Sequence, residues 1–285
     1  MGKHAYLIMA HNHPGQLRKL LEMLDDARNA ILVHIDKKAK FDRTVLQGCC
    51  VKAQLHVLAE RKDIRWGDLS QIMGELLLLE AATQVGRFDY YHLLSGADLP
   101  IKSQDEIHQF FDAHPHREWM LSVIPTGRFR LRFETWTLFP KQESQLHTLN
   151  SFCSKAQHFF GVRRHRDVDF RHGANWFSID EDFARYVLTK KSWIQTIFRG
   201  TILCDEIFLQ TILQNSPFRS RLENNNLRLI DWERRVGGHP HTWRISDREM
   251  ILNQENVFWA RKFDESIDPE IIELLYSHLT QKAGD

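Results

Sequence analysis

The chain is poor in cysteine, with four in 285 residues, and none of them, Cys49, Cys50, Cys153 or Cys204, stands in a C-x-x-C pair. That spacing excludes a zinc ribbon or a thioredoxin-like redox motif, and adjacent Cys49 and Cys50 are a poor structural staple, so reduced thiols are expected. Net charge is scarce as well: 38 Lys plus Arg against 37 Asp plus Glu leave +1, which removes any global footprint for nucleic acid and makes any anion site local. No apolar run reaches the length of a membrane span. The run Ala5 to Ala10 follows Met-Gly-Lys-His directly, without the length or cleavage region of a signal peptide. The expectation is a cytoplasmic protein, at most touching the inner face of the plasma membrane through what it acts on. Low-complexity tracts, internal repeats and linkers rich in Pro, Gly or Ser are lacking too, so one continuous unit over 1–285 is the simplest organisation.

What is present is a core, with 42% hydrophobic and 11% aromatic residues, and an alternation of short apolar runs with helical patterns, the signature of an α/β protein with a mostly parallel sheet covered by helices. Strands are expected at Tyr6–Ala10, Ile31–Ile35, Gln54–Leu58 and Asp89–Leu94, with helices at Gln16–Leu24 and Ser70–Thr83 between them. Ligands in such folds bind beyond the carboxyl ends of the strands. Ala10-His11-Asn12-His13, Asp36 and Ser95 to Asp98 should therefore converge on one crevice. Further along, Trp119–Val123 and Phe129–Leu138 read as extended, Leu149–Phe160 as helical, Asn175–Ile179 as a strand and Glu181–Thr189 as a helix. A short strand Leu227–Ile230, a turn at Gly237–Pro240 and a last helix Pro269–His278 complete the chain.

Sixteen histidines include three H-x-H pairs, His11/His13, His114/His116 and His239/His241. No H-E-x-x-H or Cys/His cluster accompanies them, so no metal site is expected. His34 and His92 lie inside strand runs and read as packed, hydrogen-bonded core residues. The Asp-x-Asp at Asp167-Val168-Asp169 follows a basic run and reads as a solvated loop rather than a metal-diphosphate clamp.

Asp205 and Glu206 precede an apolar helical run, a place where the helix dipole would favour ionised carboxylates. On local pattern alone they read first as a well-chosen first turn, with a base facing a substrate as the alternative. Arg244, in Trp243-Arg244-Ile245, and Lys262, in Trp259-Ala260-Arg261-Lys262-Phe263, are cations set among aromatics, where low local dielectric would strengthen an anion contact. Their alternative is a snorkelling or paired surface cation.

Taken in order, several segments resemble the core-2/I-branching N-acetylglucosaminyltransferase family (glycosyltransferase family 14), which also includes peptide xylosyltransferases and bacterial members. The matching stretches are Ala5-Tyr6-Leu7-Ile8 with His11, Val33-His34-Ile35-Asp36-Lys37-Lys38, His92 to Lys102, Asn175-Trp176-Phe177-Ser178-Ile179, Asp205-Glu206-Ile207-Phe208 and Phe258 to Asp264.

The resemblance implies a GT-A-like nucleotide-sugar-binding fold and an inverting glycosyltransferase that needs no metal. It divides the chain into a nucleotide-binding α/β half, 1–125, and an acceptor-binding and catalytic half, 126–285. Glu206 would be the catalytic base. Arg244 and Lys262 would meet the donor diphosphate, with Asp36, His11 and Asp98 also on the donor side, and Trp232, Arg128, Asp205 and Trp176 would lie toward the acceptor. The implied substrates are a UDP-sugar, of the GlcNAc or xylose type, and a glycan or lipid-linked oligosaccharide used in surface or exopolysaccharide synthesis. A glycoside hydrolase built on the carboxylates, or a binding protein without turnover, are the rival readings.

Overall fold

The computed structural model describes residues 2–40, 42–137 and 144–281. Its strands are β1 His4–Ala10, β2 Asn29–Ile35, β3 Gln54–Val57, β4 Tyr90–Ser95, β5 Asp98–Pro100, β6 Glu118–Met120, β7 Phe177–Asp180, β8 Leu222–Glu223, β9 Arg228–Ile230 and β10 Trp259–Arg261. The α-helices are α1 Pro14–Met23, α2 Leu69–Val85, α3 Gln104–Ala113, α4 Arg128–Glu134, α5 Ser144–Phe159, α6 Glu181–Thr189, α7 Lys191–Ile197, α8 Phe208–Gln214, α9 Arg248–Leu252 and α10 Pro269–Gln281.

A seven-stranded sheet runs β3-β2-β1-β4-β7-β6-β8, and a three-stranded sheet runs β5-β10-β9. β1 pairs in parallel with both β2 and β4, whereas β7 is antiparallel to β4 and to β6. From β1 the chain steps outward to β2 and β3, then returns to place β4 on the other side of β1. That reversal is a topological switch point, and it opens a crevice past the carboxyl ends of β1 and β4.

Alternation along β1 divides the core. Tyr6 and Ile8 join Leu17, Leu20 and Leu21 of α1 and Ile271 and Leu275 of α10 on one face, while Ala5 and Leu7 join Leu76 and Leu79 of α2 and Phe183 and Val187 of α6 on the other. A sheet covered on both faces needs near-continuous apolar strands, which is why β1 and β2 carry them. The strand histidines are held by polar partners: the backbone N–H of Lys62 donates to His34 Nε2 (2.8 Å), and His92 Nδ1 lies 2.8 Å from Ser178 Oγ. All four cysteines are free. Among the described residues no helix is long and apolar enough to cross a membrane.

One expected element differs. The extended reading of Phe129–Leu138 fails where it can be checked, because Arg128–Glu134 is helical and 138 lies outside the described residues. The apolar/basic alternation there imitates a strand, but the i,i+4 pair of Arg130 with Glu134 (Nε to Oε1, 2.9 Å) and the Thr135 hydroxyl bonded back to the Leu131 carbonyl favour a helical turn.

Candidate active site

The acidic turn is narrower than a helix mouth. Cys204–Glu206 is a single 3-10 turn, entered through Leu203 in the left-handed region (φ 53°) and separated from α8 by Ile207. The Leu203 N–H donates to the Gly67 carbonyl (2.7 Å), fastening the turn to the loop before α2. Gly173 fixes it from the other side by donating to the Glu206 carbonyl (2.9 Å). A Cβ at position 173 would lie 1.8 Å from the Leu121 carbonyl oxygen, so only glycine lets the two segments approach this closely.

The adjacent acids diverge. Asp205 points inward and is buried, accepting from Gln71 Nε2 at 3.1 Å, with its Oδ1 unpartnered. Glu75, equally buried and beside Asn175, stands close enough for its charge and that of Asp205 to repel. Burial, then the Glu206 charge, pushes the Asp205 carboxyl up to about 7. Glu206 is only partly buried and faces Arg132 of α4, whose Nη1 lies 3.4 Å from Oε2. Burial raises its pKa, with Arg132 opposing. This corrects the expectation that a helix dipole holds Glu206 firmly ionised: a three-residue 3-10 turn has little dipole, and desolvation dominates. A carboxylate whose pKa is raised is a stronger proton acceptor once ionised.

Asp205 carries a stability consequence. Its folded value of about 7 lies above the ordinary 3.8, so its contribution is complete below pH 4 and is lost as pH rises through about 7. The Asp205→Asn variant should therefore gain on wild type across that window, by up to roughly 4 kcal/mol at neutral pH. Thermal unfolding midpoints of both proteins, measured against pH, test this; parallel curves would show that Asp205 ionises freely.

On the other side of the crevice, buried Gln16 knits three segments. Its Nε2 donates to the carbonyls of Gly96 (2.8 Å) and Phe263 (3.3 Å), and its Oε1 accepts from the Glu265 N–H (3.0 Å). The Asp36 N–H reaches the Ala10 carbonyl (2.8 Å), and Gly96 N–H reaches that of Met9 (3.0 Å). The convergence expected of Ala10 to His13, Asp36 and Ser95 to Asp98 is thus present. Desolvation lowers the His11 pKa; Asp36 opposes that, while Lys262, His13 and Arg261 add to it, so these groups share one field. Asp36 itself is buried and accepts from the Lys38 N–H (2.8 Å).

Arg261 organises the cations. It pairs with buried Asp98 (Nη1 to Oδ1, 3.1 Å), bonds Ser95 Oγ, and lies with its guanidinium 4.4 Å from the centre of the Trp176 ring. Asp98 is therefore committed to Arg261 inside the protein. Lys262 and Arg244 form no ion pair among the described residues. Their segments are hydrogen-bonded, Trp243 N–H to the Lys262 carbonyl (2.9 Å) and Lys262 N–H to that of His241 (3.4 Å). Lys262 is half-buried, as the aromatic context suggests, but Arg244 is exposed: the buried ring beside it is Trp243, and the low dielectric expected at Arg244 is not there.

Trp176 lies three residues beyond Gly173, so one short segment links the Glu206 turn to Arg261. Trp232, in the loop after β9, is 52% exposed, open for a ring to stack on it. Arg128 opens α4, and its side chain lies outside the described residues. Arg132, Gln16 and Arg261 were not singled out from sequence. Arg132 had a signal, the basic run 128–132, but the extended reading gave it no direction toward Glu206.

The sequence profile of the Core-2/I-branching enzyme family matches residues 4–255. The chain belongs to the Core-2/I-branching enzyme family. It is a glycosyltransferase family, and the helix-flanked, mostly parallel sheet is the GT-A-like architecture expected. Similar curated proteins are xylosyltransferase 2 of Canis lupus familiaris, 25% identical over 96% of this chain and 33% of that protein, and xylosyltransferase 1 of Rattus norvegicus, 25% identical over 96% and 35%. The chain spans about a third of the length of these relatives. Among solved structures, apo mouse xyloside xylosyltransferase 1 is similar with 13% identity and a TM-score of 0.41, covering 90% of this chain and 96% of that one.

Proposed function

We propose that this chain moves a sugar, of the xylose or GlcNAc type, from a UDP-sugar to a hydroxyl of a glycan or lipid-linked acceptor, with inversion and without a divalent ion. The observation that carries the reading is the disposition of charge: Asp98 is consumed by Arg261, while Lys262, which shares the field of His11, and Arg244, on a segment hydrogen-bonded to that of Lys262, form no ion pair among the described residues. Cations so placed can take the charge that develops on a departing diphosphate, each worth about 1.5–3 kcal/mol. Glu206 accepts the proton of the attacking hydroxyl as its oxygen bonds to the anomeric carbon, and the bond to the diphosphate breaks on the opposite face. Residues 1–125 supply the donor floor and 126–285 the base and cations. Divergence of Asp205 from Glu206 disfavours a hydrolase, which needs two carboxylates facing one bond.

The test is a thermal-shift screen of UDP, GDP and CMP in EDTA, followed by transfer from the UDP-sugar that binds. Stabilisation by UDP, with transfer undiminished by EDTA, is expected, since a ligand that binds only the folded state raises its stability. A requirement for Mn²⁺ or Mg²⁺ would contradict the two-cation account. UDP binding with neither transfer nor donor hydrolysis would favour a binding protein.

A further inference from the structure

Helix α5 is built inside out. Asn150 is buried and Ser154 and Gln157 are partly so, Gln157 clasping the backbone of Trp136 through Nε2 and Oε1 (both 2.9 Å), whereas Leu149, Phe152, Phe159 and Phe160 are 42%, 69%, 84% and 79% exposed. At 3.6 residues per turn these four, with Ala156, span an arc of about 100°, a continuous apolar stripe turned to solvent. Gly161 (φ 71°) ends the helix, donating to the His158 carbonyl, while the Val162 N–H reaches that of Gln157. Val162, 42% exposed, extends the stripe.

Formal charge within the stripe's own segment has one sign. From Ser144 to Arg166 there is no Asp or Glu, against Lys155, Arg163, Arg164 and Arg166 and three histidines. Arg164 is buried on the carbonyls of Ile197 and Arg199. Lys155, Arg163 and Arg166 are exposed and form no ion pair among the described residues. An exposed aromatic stripe on a segment that carries three exposed cations and no acid matches the boundary of an anionic bilayer, where rings enter the acyl region and Lys and Arg meet the headgroups. It does not match a second copy of this chain's patch, which would bring like charges together.

We infer that α5 with residues 160–166 is a peripheral docking surface for membranes rich in anionic lipid. It packs on α4, which carries Arg132 to Glu206, so docking would bring the acceptor side of the crevice to the lipid surface. This goes beyond the sugar-transfer reading and does not depend on it.

Sedimentation of the full chain with phosphatidylcholine vesicles, with and without about one quarter phosphatidylglycerol, tests it. Expected are at least tenfold stronger partition onto the anionic vesicles, loss of that preference at high salt, and losses of about tenfold or more in F152S/F159S/F160S and in R163E/R166E. These positions are exposed, so circular dichroism and the unfolding midpoint should stay as in wild type. No partition by wild type, or undiminished partition by the triple variant, overturns the inference. So does self-association abolished by the triple variant without vesicle binding, which would assign the stripe to a protein contact. The readout is binding alone, so failure of sugar transfer leaves it intact, and failure here leaves the transfer reading intact.

Discussion

Glu206→Gln is expected to lower the rate of sugar transfer by on the order of a hundredfold to ten-thousandfold, the range for removing a positioned base. The substitution keeps shape and can still accept from Arg132, so the turn held by Gly67 and Gly173 should persist. Affinity for the donor nucleotide should therefore change little and the loss should fall on kcat. Wild-type activity should also decline as acidification protonates Glu206, at a pH higher than for an ordinary glutamate because burial raises its pKa. Replacing Arg132 by Leu should move that decline to still higher pH by removing the opposing charge. Steady-state kinetics against pH for the three proteins, with an identified donor and acceptor, provide the check. Near-normal turnover by Glu206→Gln would remove it from the chemistry and leave the turn a structural feature.

The nucleotide-side half of the fold was legible because its signals are local. Apolar runs for β1, β2 and β4 and the helical spacing of Leu17, Leu20 and Leu21 state periodicities that a sheet covered on both faces demands. Glu181–Thr189 was readable to its ends, since Asp180 caps it, accepting from the Phe183 N–H (2.9 Å), and acids fill its first turn. Placement of the loops after β1, β2 and β4 in one crevice followed from the parallel topology alone.

Other features depend on partners far away in the chain. Asp98 reads as a free acid until Arg261 arrives from 163 positions later. Arg228, within the short strand expected at Leu227–Ile230, is buried with its guanidinium 4.5 Å from the Trp259 ring and donates to the Phe177 carbonyl (2.7 Å). Desolvation lowers its pKa to about 9. The raised Asp205 is likewise invisible in sequence, because its main cause is burial against α2, to which the Glu206 charge only adds. The family resemblance names Glu206, Arg244 and Lys262 as candidates, but their unequal exposure and the partner Arg132 needed the fold.

That inequality shapes the second large effect. Removing both donor-side cations in Arg244→Ala/Lys262→Ala should reduce kcat/KM for the sugar nucleotide by about a hundredfold to ten-thousandfold, corresponding to two charge-assisted contacts of about 1.5–3 kcal/mol. Lys262→Ala alone should account for the larger part, because Lys262 is half-buried whereas Arg244 is exposed and its field is weakened by water and salt. The single losses need not add, since both cations would meet one diphosphate. Lys262→Arg should recover part of the loss, as charge is kept and only reach and shape change. Added Mn²⁺ should not rescue the double variant, because Asp98, the acid that follows β4, is already bound to Arg261. Retention of more than about half the activity by the double variant, or rescue by the ion, would mean that the departing diphosphate is stabilised elsewhere.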